Sequence, residues 1–251
     1  MRKLMTALGG VALLAGCGSA ARKPAASTPQ ISIPRAQTGG PPYHPKIDPA
    51  RFTHRVTNPY WPMKPGATWT YVGRKDGAPE RVVVTVSHAT KTIMGVRCVV
   101  VTDVVTTNST LAEKTTDWYA QDSAGNLWYF GEDSKDYRNG AVVSTAGTWE
   151  AGVDGALPGV IIQARPRLGV TYRQEYRPGV ALDKAKAIAI GATERTPAGT
   201  FRDVVITLDT DPLNPAKVEH KSFARGVGPV HVKRRGSAHT EEIKLAVRPR
   251  L

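Results

Sequence analysis

A chain of 251 residues with 34 Lys and Arg, 21 Asp and Glu and a formal charge of +13 is long enough to bury one large core. Plentiful Val, Thr, Gly and aromatic residues argue against a helical bundle and for strands joined by turns. The charge is uneven: residues 1–57 carry +7, 58–110 carry +3, 111–160 carry −5 and 161–251 carry +8, so an acidic island sits in a basic chain whose surface would attract phosphate.

Arg2 and Lys3 precede an apolar run from Leu4 to Leu14, which is too short to span a bilayer and has the build of a removable export segment. Leu14-Ala15-Gly16-Cys17 follows, and it resembles the bacterial lipobox. That resemblance implies cleavage after residue 16 and a lipid on Cys17, palmitate among its acyl chains. Two or three such chains hold a protein at a membrane durably, at about 0.8 kcal/mol per buried CH₂. The only other cysteine, Cys98, stands in Val96-Arg97-Cys98-Val99-Val100-Val101, where a thiol serves as a small apolar side chain. Residues 17–57 are rich in Pro, Ala, Ser, Thr and Gly and lack apolar periodicity, which predicts a disordered tether before a folded body over 58–251.

In that body Tyr60-Trp61-Pro62-Met63-Lys64-Pro65-Gly66 forms a lead-in turn and Thr68–Val72 alternates as a half-buried strand. Turns at Asp76-Gly77, Gly95 and Asn108-Ser109 separate β-branched runs at 81–87 and 96–107, a pattern that pairs as a meander. The clearest hairpin is Asp117–Glu132, with aromatic arms and a turn of Asp122-Ser123-Ala124-Gly125-Asn126. Rings on both of its faces predict a core on one side and a second layer, cavity or ligand on the other. Asn139-Gly140 gives another turn, and 149–159 reads as a long Gly-rich loop carrying Trp149. Residues 182–190 suit helix or strand, and the alternation of Lys184, Lys186, Ile188 and Ile190 against three alanines favours strand. Runs at 201–208, 218–224, 230–235 and 241–247 complete about a dozen strands. The fold class is therefore all-β, a single antiparallel curved sheet closing as a half-barrel, barrel or sandwich.

The hairpin Asp-Trp-Tyr-Ala-Gln-Asp-x-x-Gly-Asn-x-Trp-Tyr-Phe-Gly-Glu, the Trp149 loop, and the stretches Pro197–Phe201 and Phe223–Val230 resemble a type of exported β-rich bacterial protein. The resemblance implies a fold and an envelope location and carries no catalytic residues. Pro229 interrupts what would otherwise be ordinary strand.

No nucleophile elbow, paired zinc histidines, Cys-x-x-Cys or phosphate-binding glycine pattern occurs. The expected function is noncatalytic, without metal or cofactor. A lipid-anchored module would bind an apolar or amphiphilic ligand, or an envelope protein, through Trp118, Tyr119, Trp128, Tyr129 and Trp149. One alternative is a carbohydrate-binding or glycosidase-like protein using two of Asp117, Asp122, Glu132, Asp133, Asp136, Glu150 and Asp154 beside those rings. Another is a purely structural envelope protein. The basic Lys233-Arg234-Arg235 run and the Arg248-Pro249-Arg250 tail would face an anionic membrane or wall polymer, since an exported protein does not meet nucleic acid.

Overall fold

The computed structural model describes residues 43–237 and 239–251; the export segment, Cys17 and the first part of the linker lie outside them. The strands are β1 (Phe52–Thr53), β2 (Thr68–Lys75), β3 (Ala78–Ile93), β4 (Val96–Thr107), β5 (Thr110–Asp122), β6 (Leu127–Arg138), β7 (Ala141–Ser144), β8 (Trp149–Glu150) and β9 (Leu157–Ile162). They continue as β10 (Thr171–Arg173), β11 (Glu175–Tyr176), β12 (Lys184–Thr196), β13 (Gly199–Asp211), β14 (Asn214–Ala224), β15 (Gly228–Arg235) and β16 (Thr240–Val247). The described chain is all-β apart from one turn of 3-10 helix at Pro49–Arg51.

Two antiparallel meanders, β2–β6 and β12–β16, are joined by β16 pairing with β2. The opposite margin is closed by one bent segment: β10 pairs with β12, β11 pairs with β9, and at the bend the amides of Gln174 and Glu175 both donate to the Asp183 carbonyl. The result is a nearly closed, barrel-like sheet with a narrow seam. Adjacent strands turn at Asp76-Gly77, Met94-Gly95, Asn108-Ser109 and Asn139-Gly140, each pair with both residues at positive φ, which matches the right-handed twist of the arms. Gly73 makes the β2–β16 junction possible, because a Cβ there would stand 1.8 Å from the Glu242 carbonyl oxygen.

Apolar residues facing inward, among them Trp69, Tyr71, Val84, Val101, Tyr119, Tyr129, Phe223, Val230 and Leu245, fill one part of the barrel. Trp61 is central to this core rather than a lead-in residue. It packs against Trp69, Tyr119 and Phe223 with centroids 5.5–6.5 Å apart. Asn58 holds that turn: its Oδ1 accepts from the amides of Tyr60 and Trp61, and its Nδ2 donates to the Gly125 carbonyl.

Three expectations are corrected. The tether does not extend to residue 57, since Tyr43–Thr57 lies along the barrel: the Tyr43 hydroxyl donates to the Pro158 carbonyl and β1 pairs with the end of β5. Its composition hid this, because the contacts come from single residues, Tyr43 and Phe52, and not from a periodic run. The Gly-rich loop is shorter than 149–159, because Trp149 and Glu150 pair with Glu132 and Gly131 while Leu157–Ile162 is strand. The Lys233-Arg234-Arg235 run does not form a patch, because alternation buries Arg234 and leaves Lys233 and Arg235 on the outer side.

Candidate functional site

The hairpin β5–β6 carries the five rings expected to meet a ligand. A bulge opposite Trp118 and Tyr119 places Phe130 as an extra residue, so strict alternation fails there. Gly131, at φ 132°, lets β8 approach: a Cβ would lie 2.3 Å from the Trp149 carbonyl oxygen. Tyr119 and Tyr129 stack at 4.8 Å, and Trp149 stands edge-on to Tyr129 at 5.5 Å. All three are buried in the barrel interior. Trp118 is covered by Lys91, whose Nζ sits 3.6 Å from the ring centroid and 2.6 Å from a Glu150 oxygen.

Trp128 alone among the five stays half-buried. Its Nε1 donates to Asp122, and Phe52 meets it edge-on at 5.8 Å and Phe130 at 5.6 Å. The second layer over the hairpin is thus the chain's own N-terminal segment. A recess of about 140 Å³ remains beside Trp128, walled by Phe52, Arg51, Lys46, Asp122 and Ser123. This hollow is small and partly charged.

The acids proposed for sugar chemistry are spoken for in the same way. Asp122 closes its own loop by accepting from the amides of Ala124 and Asn126. Glu150 pairs with Lys91, Asp154 with Arg177 and Asp133 with Lys135. Asp117 and Glu132 lie inside the barrel, where Tyr129 donates to Asp117 and burial pushes that carboxyl above the usual range. Among the described residues no group of three or more His, Cys, Asp and Glu is placed to hold a metal.

What the sequence reading missed is the polar part of the interior, on β12–β16. Lys221 Nζ lies 2.8 Å from Asp209 and 3.2 Å from Glu219; Lys217 lies 3.8 Å from both Asp183 and Glu219; Arg234 is 3.7 Å from Glu219 and binds Glu241. The Thr207 hydroxyl donates to Asp209. Burial alone would raise Glu219, but Lys221, Lys217 and Arg234 outweigh it and bring the carboxyl down to about 2. Asp209 moves the other way, because burial exceeds the help it receives from Lys221 and Thr207. Among the described residues the buried acids also include Glu80, Asp103, Glu113, Glu175 and Asp211, so carboxylates outnumber buried bases inside. A period-2 reading of Val218–Ala224 and Val230–Arg235 could have flagged this, since Glu219, Lys221 and Arg234 occupy the alternate positions that face the core.

No protein-family model matches the chain, and no curated protein matches it. Two solved structures are distantly similar to it. A Bacteroides fragilis protein with a YmcC-like fold, described as a candidate exported protein, is 13% identical with a TM-score of 0.45, covering 76% of this chain and 99% of its own. A candidate lipoprotein of Parabacteroides distasonis is 14% identical with a TM-score of 0.42, covering 76% and 98%.

Proposed function

We propose that the protein is exported, held in the envelope by a lipid on Cys17, and works there by binding rather than by catalysis, with the polar end of the barrel interior as its receiving part. The observation that carries this is the ion-paired cluster of Asp209, Glu219, Lys221 and Arg234 within the barrel. Buried ion pairs add little net stability over apolar packing, so several in one place favour recognition over mere support. Buried rings packed beside this cluster form the apolar part of the same interior.

Native mass spectrometry of the protein recovered from the envelope tests both parts. The expected species begins at Cys17, carries a thioether lipid and releases a noncovalent amphiphile on mild activation. Palmitate label that enters the Cys17→Ala chain as well as the parent would remove the anchor. A bare barrel whose melting is unmoved by envelope lipid extracts would remove the binding role.

A further inference from the structure

The outer face formed by β10, the first half of β12 and the segment leading into β10 combines two properties rarely placed together without a reason. The first is charge of one sign. Between residues 163 and 193 the only acids, Glu175 and Asp183, are buried, whereas Arg165 and Arg167 are exposed and Lys184 and Lys186 are half-buried on the outer side of β12. The second is exposed apolar surface. Leu168 is 60% exposed, Val170 37%, Ile188 42% and Ile190 43%.

These positions are neighbours in the fold. The Gly169 amide donates to the Ala187 carbonyl, Leu168 bridges to Ala187, and Thr171 pairs with Lys186. Ile188 and Ile190 continue the outward alternation of Lys184 and Lys186, on the stretch of β12 whose pairing with β13 shifts register between Ala187 and Ala189 and again between Ala189 and Ala192.

The tether arrives at the same place. Tyr43, the first described residue, packs 5.4 Å from the Tyr176 ring and lies under Arg173, which pairs with Lys184. The 26 residues from Cys17 to Tyr43 reach at most about 90 Å, so a bilayer holding Cys17 is within range of this face.

We propose that this face docks on the head-group region of an anionic membrane, with Leu168, Val170, Ile188 and Ile190 entering the interface and Arg165, Arg167, Lys184 and Lys186 meeting lipid phosphates. The direction from which the bilayer arrives rests on the anchor proposed above; the chemistry of the face does not. Basic side chains at an anionic surface each contribute about fivefold in binding, and apolar tips add area that leaves water.

The test uses the full chain carrying Cys17→Ser, so that no lipid contributes, and flotation with vesicles of phosphatidylglycerol and phosphatidylcholine. The expected result is binding that falls about 25-fold in Lys184→Gln/Lys186→Gln and about tenfold in Leu168→Ser/Ile188→Ser/Ile190→Ser, while Arg81→Gln/Arg97→Gln, on remote exposed positions, stays within about threefold of the parent. Residues 1–16 are common to all variants and cancel in the comparison. Equal binding by parent and face variants would overturn the proposal. So would retention of binding by the apolar triple variant, which would show attachment through charge alone with no apolar entry into the interface. Loss of acylation at Cys17 in cells bears on the anchor alone and leaves this measurement intact.

Discussion

Replacing Lys221 with Met isolates what the interior cluster does for the barrel. The lysine lies between Asp209 and Glu219, and the two carboxylates outweigh the burial that would otherwise discharge it. Without it Asp209 loses its cation while Glu219 keeps Lys217 and Arg234 at 3.7–3.8 Å. Breaking a buried pair by removing one partner costs about 3 to 5 kcal/mol. With a urea slope of about 2 to 3 kcal/mol/M, the midpoint should fall by roughly 1.5 M near neutral pH. The sign with pH follows from the shifts. In the parent, Glu219 sits at about 2 in the folded state against an unfolded value of 4.5, so its stabilisation of about 3 kcal/mol is present above 4.5 and lost as pH falls through 2. Asp209 is raised on folding, so the stability it costs at neutral pH returns as it protonates. In the variant both carboxyls move upward, and the deficit must shrink on acidification. Urea titrations of parent and variant at about pH 7 and about pH 4.5 measure this directly. A midpoint loss below about 0.3 M at neutral pH, or a deficit that does not change with pH, would refute the reasoning.

Three further outcomes follow from the packing. Gly73→Ala sets a Cβ against the β16 backbone and should prevent β2 from pairing, seen as loss of a cooperative melt; a melting point within a few degrees of the parent would contradict it. Trp149→Ala should cost about 3 to 5 kcal/mol, because the ring is core, whereas Lys91→Ala over the more exposed Trp118 contact should cost no more than about 1 kcal/mol; the reverse order in thermal denaturation would mean that the rings are not packed as described. Burial pushes the Cys98 thiol up to about 12, so in the Cys17→Ser chain it should resist a thiol reagent when folded and react once in denaturant; rapid labelling of the native chain would show an open barrel wall.

The strands were legible because their alternation and turn pairs are local properties. Asp76-Gly77, Asn108-Ser109 and Asn139-Gly140 each carry their conformational preference within two residues, and the ambiguous 182–190 run is strand because Ala185 and Ala187 face inward. Closure was not legible, since it depends on β16 meeting β2 and on β10 and β11 meeting strands far along the chain. The hairpin rings illustrate the same divide. Their presence on both faces predicted two layers, but only the fold reveals that Phe52 supplies the outer one and Trp149 completes the inner stack. Ion pairing at Lys221 and Arg234 was hidden for a related reason, because a surface-type residue in alternation reads as solvated until its cross-strand partners are known.

The seam of the barrel is short: β10 contributes three pairs and β11 two, against five to eleven in the ladders of the two meanders and their junction. Tyr43 grips this seam from outside through Pro158 on one side and the Tyr176 ring on the other. Any drag transmitted along the leader from an anchored end is therefore delivered to the closure with the fewest rungs. Mechanical load would part the wall there first and leave both long meanders whole, so the order in which this protein yields to force is written into where its leader lands.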